Sequence, residues 1–143
     1  MKILFVCKGN VGRSQIAEAL FRKHAGKDLE ILSAGTKLSG PEQPIGELVP
    51  AIQEVLDVMK EEGLDVSTAI RKQLTEQMVN DADKVVVIME ETEDLPDYLS
   101  QSTKMERWSI ADPKGKDLEF TRKVKNEIKE KIEKWCDIAG LAG

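Results

Sequence analysis

Cys7 and Arg13 are separated by Lys8-Gly9-Asn10-Val11-Gly12, and Ser14 follows at once. A thiol, a charged fork and two glycines in so short a span are the parts of an oxyanion site. The Arg13 guanidinium offers paired donors to two oxygens of a tetrahedral anion. Gly9 and Gly12 let the backbone curl until successive N–H groups point inward and form a nest for the same anion. A cysteine at the base of that nest is favoured as thiolate by Arg13 and by the helix end, and thiolate is the nucleophilic form. Cys7 and Arg13 are therefore the expected catalytic pair. Lys8, Gly9, Asn10, Val11, Gly12 and Ser14 are the expected anion-binding residues. Asn10 is expected to hold the curl through loop carbonyls, and Ser14 to donate to the sulfur. The loop is not a Walker A sequence, because its glycines are too close and Arg13 stands where a Gly-Lys pair is required.

Such a loop needs a strand before it and a helix after it. Ile3-Leu4-Phe5-Val6 is a continuous apolar run, the pattern of a strand buried on both faces. Ile16, Ala17, Leu20 and Phe21 recur at helical spacing, so a helix is expected from Ser14 to about Ala25, ended by Gly26. Ile31 to Gly35 reads as a second strand, and Thr36 to Gly46 as a surface loop broken by glycine and proline. The stripe Leu48, Ile52, Val55, Leu56, Met59 predicts one helix with Pro50 in its first turn and Gly63 as its stop. Thr75 opens a short helix through Val79, and Lys84 to Met89 is another buried strand. Glu90 to Lys104 reads as an acidic loop, Met105 to Ile110 as a strand, and Ala111 to Gly115 as a turn. Val124, Ile128, Ile132 and Trp135 stripe a long terminal helix. Strands alternating with helices imply parallel pairing by right-handed crossovers, hence a three-layer α/β domain over residues 1–143. The anion loop then falls beyond the carboxyl ends of the strands, where ligands bind in open sheets.

A chain of 143 residues is long enough for one compact core and too short for two ordinary domains. Its net charge of -5 argues against a general nucleic-acid binder and against a polybasic membrane anchor. No apolar run approaches membrane length, and the short N-terminal run lacks a cleavage site, so a cytoplasmic protein is expected. Cys7 and Cys136 lie at opposite ends of the chain and read as free thiols. No cysteine or histidine cluster suggests a metal, and no cofactor is expected.

Val6-Cys7-x5-Arg13-Ser14 followed by Ile16-Ala17-Glu18 resembles the phosphate loop of the low-molecular-weight protein tyrosine phosphatases and the related thioredoxin-coupled arsenate reductases. Ser33-Ala34-Gly35-Thr36, Arg71-Lys72-Gln73-Leu74-Thr75, Asp83 to Met89 and Asp112-Pro113 follow in the family's order, so the resemblance spans nearly the whole chain. It implies a four-stranded parallel sheet flanked by helices. It also implies two-step chemistry on a phosphorylated protein or small phosphomonoester: Cys7 forms a phosphocysteine, Asp112 protonates the leaving oxygen, and Asp112 then activates the water that releases phosphate. Two alternatives stay open, an arsenate reductase using an external thiol and a non-catalytic phosphate-binding module. Gly12-Arg13-Ser14-Gln15 and Glu106-Arg107-Trp108 resemble the reductase branch, but Glu90 to Asp97 holds no cysteine of the kind those reductases use. Met89-Glu90 resembles the Met-Asp pair of the phosphatases, while Lys37-Leu38-Ser39 and Lys114 stand where those enzymes place aromatic walls. Tyr98 is a candidate replacement wall, and His24 has no expected role.

Overall fold

The computed structural model describes residues 1–26 and 28–140. Four strands, β1 (Lys2–Cys7), β2 (Glu30–Gly35), β3 (Lys84–Ile88) and β4 (Met105–Trp108), form one sheet in the order β2-β1-β3-β4. Every pairing is parallel; Phe5 lies opposite Ser33 on one side and Val86 on the other. The helices are α1 (Arg13–His24), α2 (Gln53–Lys60), α3 (Glu76–Asp81), α4 (Asp97–Ser100) and α5 (Leu118–Ala139). The architecture is thus the expected four-stranded parallel sheet between helical layers.

Alternation along β1 divides the core in two. Ile3 and Phe5 face one cluster with Ile16, Leu20 and Phe21 of α1, Val55 and Met59 of α2, and Val124, Ile128 and Ile132 of α5. Leu4 and Val6 face the other, with Val79, Val85, Val87 and Leu99 from α3, β3 and α4, and Cys7 at the strand's end packs with the same cluster. The strand is buried on both faces because each face has its own helical cover. Among the described residues no helix is long and apolar enough to cross a membrane.

Three expectations are corrected. The stripe from Leu48 to Met59 is not one helix: a 3-10 turn covers Ile45–Leu48, and α2 starts only at Gln53. Pro50 lies between them, where it supplies no N–H and drives the residue before it out of helical backbone. The acidic stretch from Glu90 to Lys104 contains α4 directly after Pro96. The fourth strand ends at Trp108 rather than Ile110. Thr75 caps α3 as its position suggests, accepting a bond from the Met78 N–H, although the helix continues to Asp81.

Candidate active site

β1 ends at Cys7 and α1 begins at Arg13, so the loop between them sits at the carboxyl edge of the sheet. The chain's next strand lies on one side of β1 and the one after it on the other. That reversal opens the crevice in which α/β sheets bind ligands.

The loop's left-handed turn falls on Asn10, at φ 54°, and not on a glycine. Asparagine tolerates this conformation better than most residues. Its side chain is fully buried and does more than the sequence suggested. Instead of bonding loop carbonyls, Nδ2 donates to Ser14 Oγ at 2.7 Å and Ser33 Oγ at 3.0 Å. Its Oδ1 accepts the Lys72 N–H at 2.8 Å and Gln15 Nε2 at 3.2 Å. Ser33 in turn donates to Glu18 Oε1 at 2.7 Å. Ser14 Oγ lies 2.9 Å from Cys7 Sγ. Because that oxygen already accepts from Asn10, its single proton is free to point at the sulfur.

β2 presses the loop from beside it. The Thr36 and Lys37 N–H groups bond to the carbonyls of Cys7 and Lys8, both at 2.9 Å. A Cβ on Gly35 would stand 2.6 Å from the Lys8 carbonyl oxygen, so only glycine permits this approach.

Arg13 is 2% exposed. Its Nη1 and Nη2 reach the two Glu93 oxygens at 2.7 and 2.9 Å, and Nη1 also donates to the Ile110 carbonyl at 3.0 Å. Burial works against the guanidinium charge, but the Glu93 bond and the charges of Cys7, Asp112 and Glu93 leave its pKa raised. Burial likewise opposes the Glu93 charge, and the bonds from Arg13 and the Glu90 N–H hold its carboxyl below the ordinary range. The Glu90 N–H reaches Glu93 Oε2 at 2.7 Å, closing a tight turn. Arg107 fastens that turn, donating to the carbonyls of Met89 at 3.2 Å, Glu93 at 2.9 Å, and Glu90. The Arg13 Nε has no protein partner among the described residues. The end of the fork is thus taken by Glu93, and the Nε side of the guanidinium stays unpartnered among the described residues.

A cleft of about 310 Å³ opens at Cys7. Lys8, Gly9, Val11, Gly12, Arg13 and Asp112 line it, whereas Asn10 and Ser14 lie behind it. Asp112 is part-exposed; its Oδ2 stands 3.6 Å from Arg13 Nη2, and its Oδ1 accepts the Lys114 N–H at 3.0 Å. Pro113 packs against Gly12, which seats the Asp112 loop on the anion loop. The far wall is aliphatic: Leu48, Ile52 and Val55. Tyr98 is not a wall; it lies in α4 against the second core. His24 ends α1, 3.8 Å from Glu133. Cys136 is buried in the first core and Cys7 in the second, both as free thiols, and burial pushes the Cys136 thiol up.

Glu93 went unmarked in the sequence. An acidic run after a buried strand does place carboxylates at this edge, but Glu90, Glu91, Glu93 and Asp94 look alike there.

A four-stranded parallel sheet with the Cys7–Arg13 loop at its reversal point defines the class by fold: an α/β protein whose crevice opens beside a cysteine. The chain belongs to the family described as low molecular weight phosphotyrosine protein phosphatase, whose profile matches residues 2–141. It is similar to an arsenate reductase of Staphylococcus xylosus, 30% identical over 131 residues, 92% of each chain. Among solved structures, the low molecular weight protein tyrosine phosphatase of T. tengcongensis superposes with a TM-score of 0.75 at 32% identity, covering 96% of this chain and 98% of that one. The YwlE arginine phosphatase of Geobacillus stearothermophilus does so with a TM-score of 0.77 at 25% identity, covering 97% and 92%.

Proposed function

We propose that this chain hydrolyses phosphomonoesters through a phosphocysteine on Cys7. One observation carries the reading: Cys7, Arg13 and Asp112 line one cleft, with the Ser14 hydroxyl 2.9 Å from the Cys7 sulfur. The loop amides and the Nε–Nη2 edge of Arg13 hold the phosphoryl oxygens and stabilise their charge in the transition state. The Cys7 thiolate attacks phosphorus as the ester oxygen departs with a proton from Asp112, since an alkoxide leaves poorly without one. Asp112 then takes a proton from water. The water oxygen attacks phosphorus and displaces the Cys7 thiolate, releasing phosphate, while Ser14 donates to the departing sulfur. Phosphotyrosine in proteins is one substrate this chemistry serves. The aliphatic wall suits other leaving groups as well.

The test is turnover of p-nitrophenyl phosphate. Cys7→Ser abolishes it, and activity that survived the substitution would overturn the mechanism. Phosphate binding without turnover in the unaltered protein would leave a binding module instead.

A second reading is supported by the 30%-identical relatives named arsenate reductase. Arsenate suits the same loop. Cys7 would form a thiol–arsenic(V) adduct, and a second thiol attacking the Cys7 sulfur would release arsenic(III) and leave a disulfide. Cys136 sits in the other core, so that thiol would come from outside. Arsenite formation with thioredoxin or a small thiol is the check. None under either condition removes this reading.

A further inference from the structure

Arg71 is 4% exposed, and no carboxylate pairs with it among the described residues. Its Nε donates to the Pro41 carbonyl at 2.8 Å, Nη1 to Ser39 Oγ at 3.2 Å and Nη2 to Gln43 Oε1 at 3.3 Å. Every one of these acceptors is neutral, and two guanidinium hydrogens remain. Gly40 lets the loop settle on it, since a Cβ there would stand 2.6 Å from Arg71 Nη2. None of the ion pairs among the described residues includes Arg71, nor Lys8, Lys37 or Lys114. Yet all four line the Cys7 cleft.

Elsewhere this chain, with its net charge of -5, pairs its buried cations. Lys125, 5% exposed, meets Glu62, and Arg13 meets Glu93. A buried charge facing only neutral groups is costly, because its lost hydration is not offset by a counter-ion. Two carboxylates also line the cleft. Asp112 leans toward Arg13, and Glu54 stands on the α2 wall. The loop amides and Arg13 suffice for one phosphoryl group, which leaves Arg71 unmatched.

We infer that Arg71, with Lys37 and Ser39, forms a second anion subsite in the cleft, and that the compound bound there carries a further anionic group, carboxylate or phosphoryl, besides its phosphoryl ester. That this compound is a substrate rests on the proposed hydrolysis; the subsite itself is a matter of binding.

Phosphonates test it without turnover, since their carbon–phosphorus bond survives. Calorimetry on the full chain compares ethylphosphonate, 3-phosphonopropionate and propane-1,3-bisphosphonate. The second anionic group tightens binding by about tenfold, the scale of a charge-assisted hydrogen bond. The carboxylate and bisphosphonate arms rank the two chemistries. Lys37→Gln, an exposed change that leaves folding intact, removes most of the gain, and Arg71→Lys, which keeps the charge but loses the fork, weakens it. Lys134→Gln, an equal change of net charge on α5, leaves it in place. Equal affinities for the three ligands, or a gain that survives both cleft substitutions, would overturn the subsite. Phosphonate discrimination without p-nitrophenyl phosphate turnover would keep the subsite and sink the hydrolase reading, and the converse result would do the opposite.

Discussion

At the scale of single residues, the Arg13–Glu93 pair decides what the anion loop presents. Glu93 holds both Nη atoms, so the guanidinium cannot turn end-on toward the cleft. Glu93→Gln keeps the shape but gives up the charge. The 2%-exposed arginine loses its hydrogen-bonded counter-ion and keeps only the more distant Asp112, at a cost of about 1–3 kcal/mol in stability by denaturant unfolding. Its preset orientation loosens at the same time. kcat on p-nitrophenyl phosphate falls by about tenfold or more, because orientation counts most in the transition state. Inhibition by vanadate, which adopts five-coordinate geometry, weakens more than inhibition by phosphate. An equal weakening of both would mean that Glu93 serves folding alone. The same scale supplies a test of Asp112. Asp112→Asn costs about 10²–10⁴-fold with alkyl phosphates. The loss is smaller with p-nitrophenyl phosphate, whose leaving group needs little protonation. Cys7, Arg13 and Asp112 stood out in the sequence because the chemistry proposed for them belongs to their own side chains. Glu93 was not, because its role depends on which of several acidic residues a turn aims inward.

At the scale of elements, two contacts govern how the site is held. The first is the end of β2 against the anion loop. Gly35→Ala forces a Cβ to within 2.6 Å of the Lys8 carbonyl and 3.0 Å of the Asn10 nitrogen, both backbone atoms that cannot rotate away. The loop shifts and phosphate affinity falls by an order of magnitude or more, measured by calorimetry, while the strand core keeps most of its stability. The second is Glu62, just past α2, which Lys125 and Lys129 of α5 both reach at 2.8 Å. Burial pushes its carboxyl up, but the two lysine bonds outweigh that and leave it at about 2. A lowered native pKa stabilises the fold above the ordinary carboxylate range, and that stability is lost as pH falls from 4.5 toward about 2. Glu62→Gln therefore costs about 1–3 kcal/mol at neutral pH. Urea unfolding of the two proteins should converge as the solution approaches pH 2. A difference that persists there would show that packing, not charge, is at work. Periodicity found the buried strands and α5 because each presents long, unbroken apolar spacing. It merged the 3-10 turn with α2, since Leu48 and Ile52 keep helical spacing across Pro50 although the backbone does not. The anion loop's curl was assigned to its glycines for a similar reason, although hydrogen bonds from Lys72 and Gln15 hold Asn10 in the left-handed turn.

At the scale of the whole molecule, two charge patterns oppose each other. The chain carries -5 in all, yet Lys8, Lys37, Arg71 and Lys114 line one cleft with no ion-pair partner among the described residues. For an anionic substrate arriving from a distance, net charge repels and the mouth attracts. Salt separates the two, because its screening length is about 30 Å at 0.01 M and about 8 Å at 0.15 M. Were repulsion by the whole molecule dominant, added salt would speed capture. Were the local cations dominant, added salt would slow it, because clefts focus the field of the charges that line them. The four cations line the site itself, so the local field governs the last few ångströms. kcat/KM for a phosphate dianion should therefore fall several-fold between these ionic strengths, with kcat nearly constant. Lys37→Glu should flatten or invert the slope without altering the sign of the net charge. A kcat/KM that climbs with salt in the unaltered protein would mean that the acidic surface, not the cleft, sets the encounter.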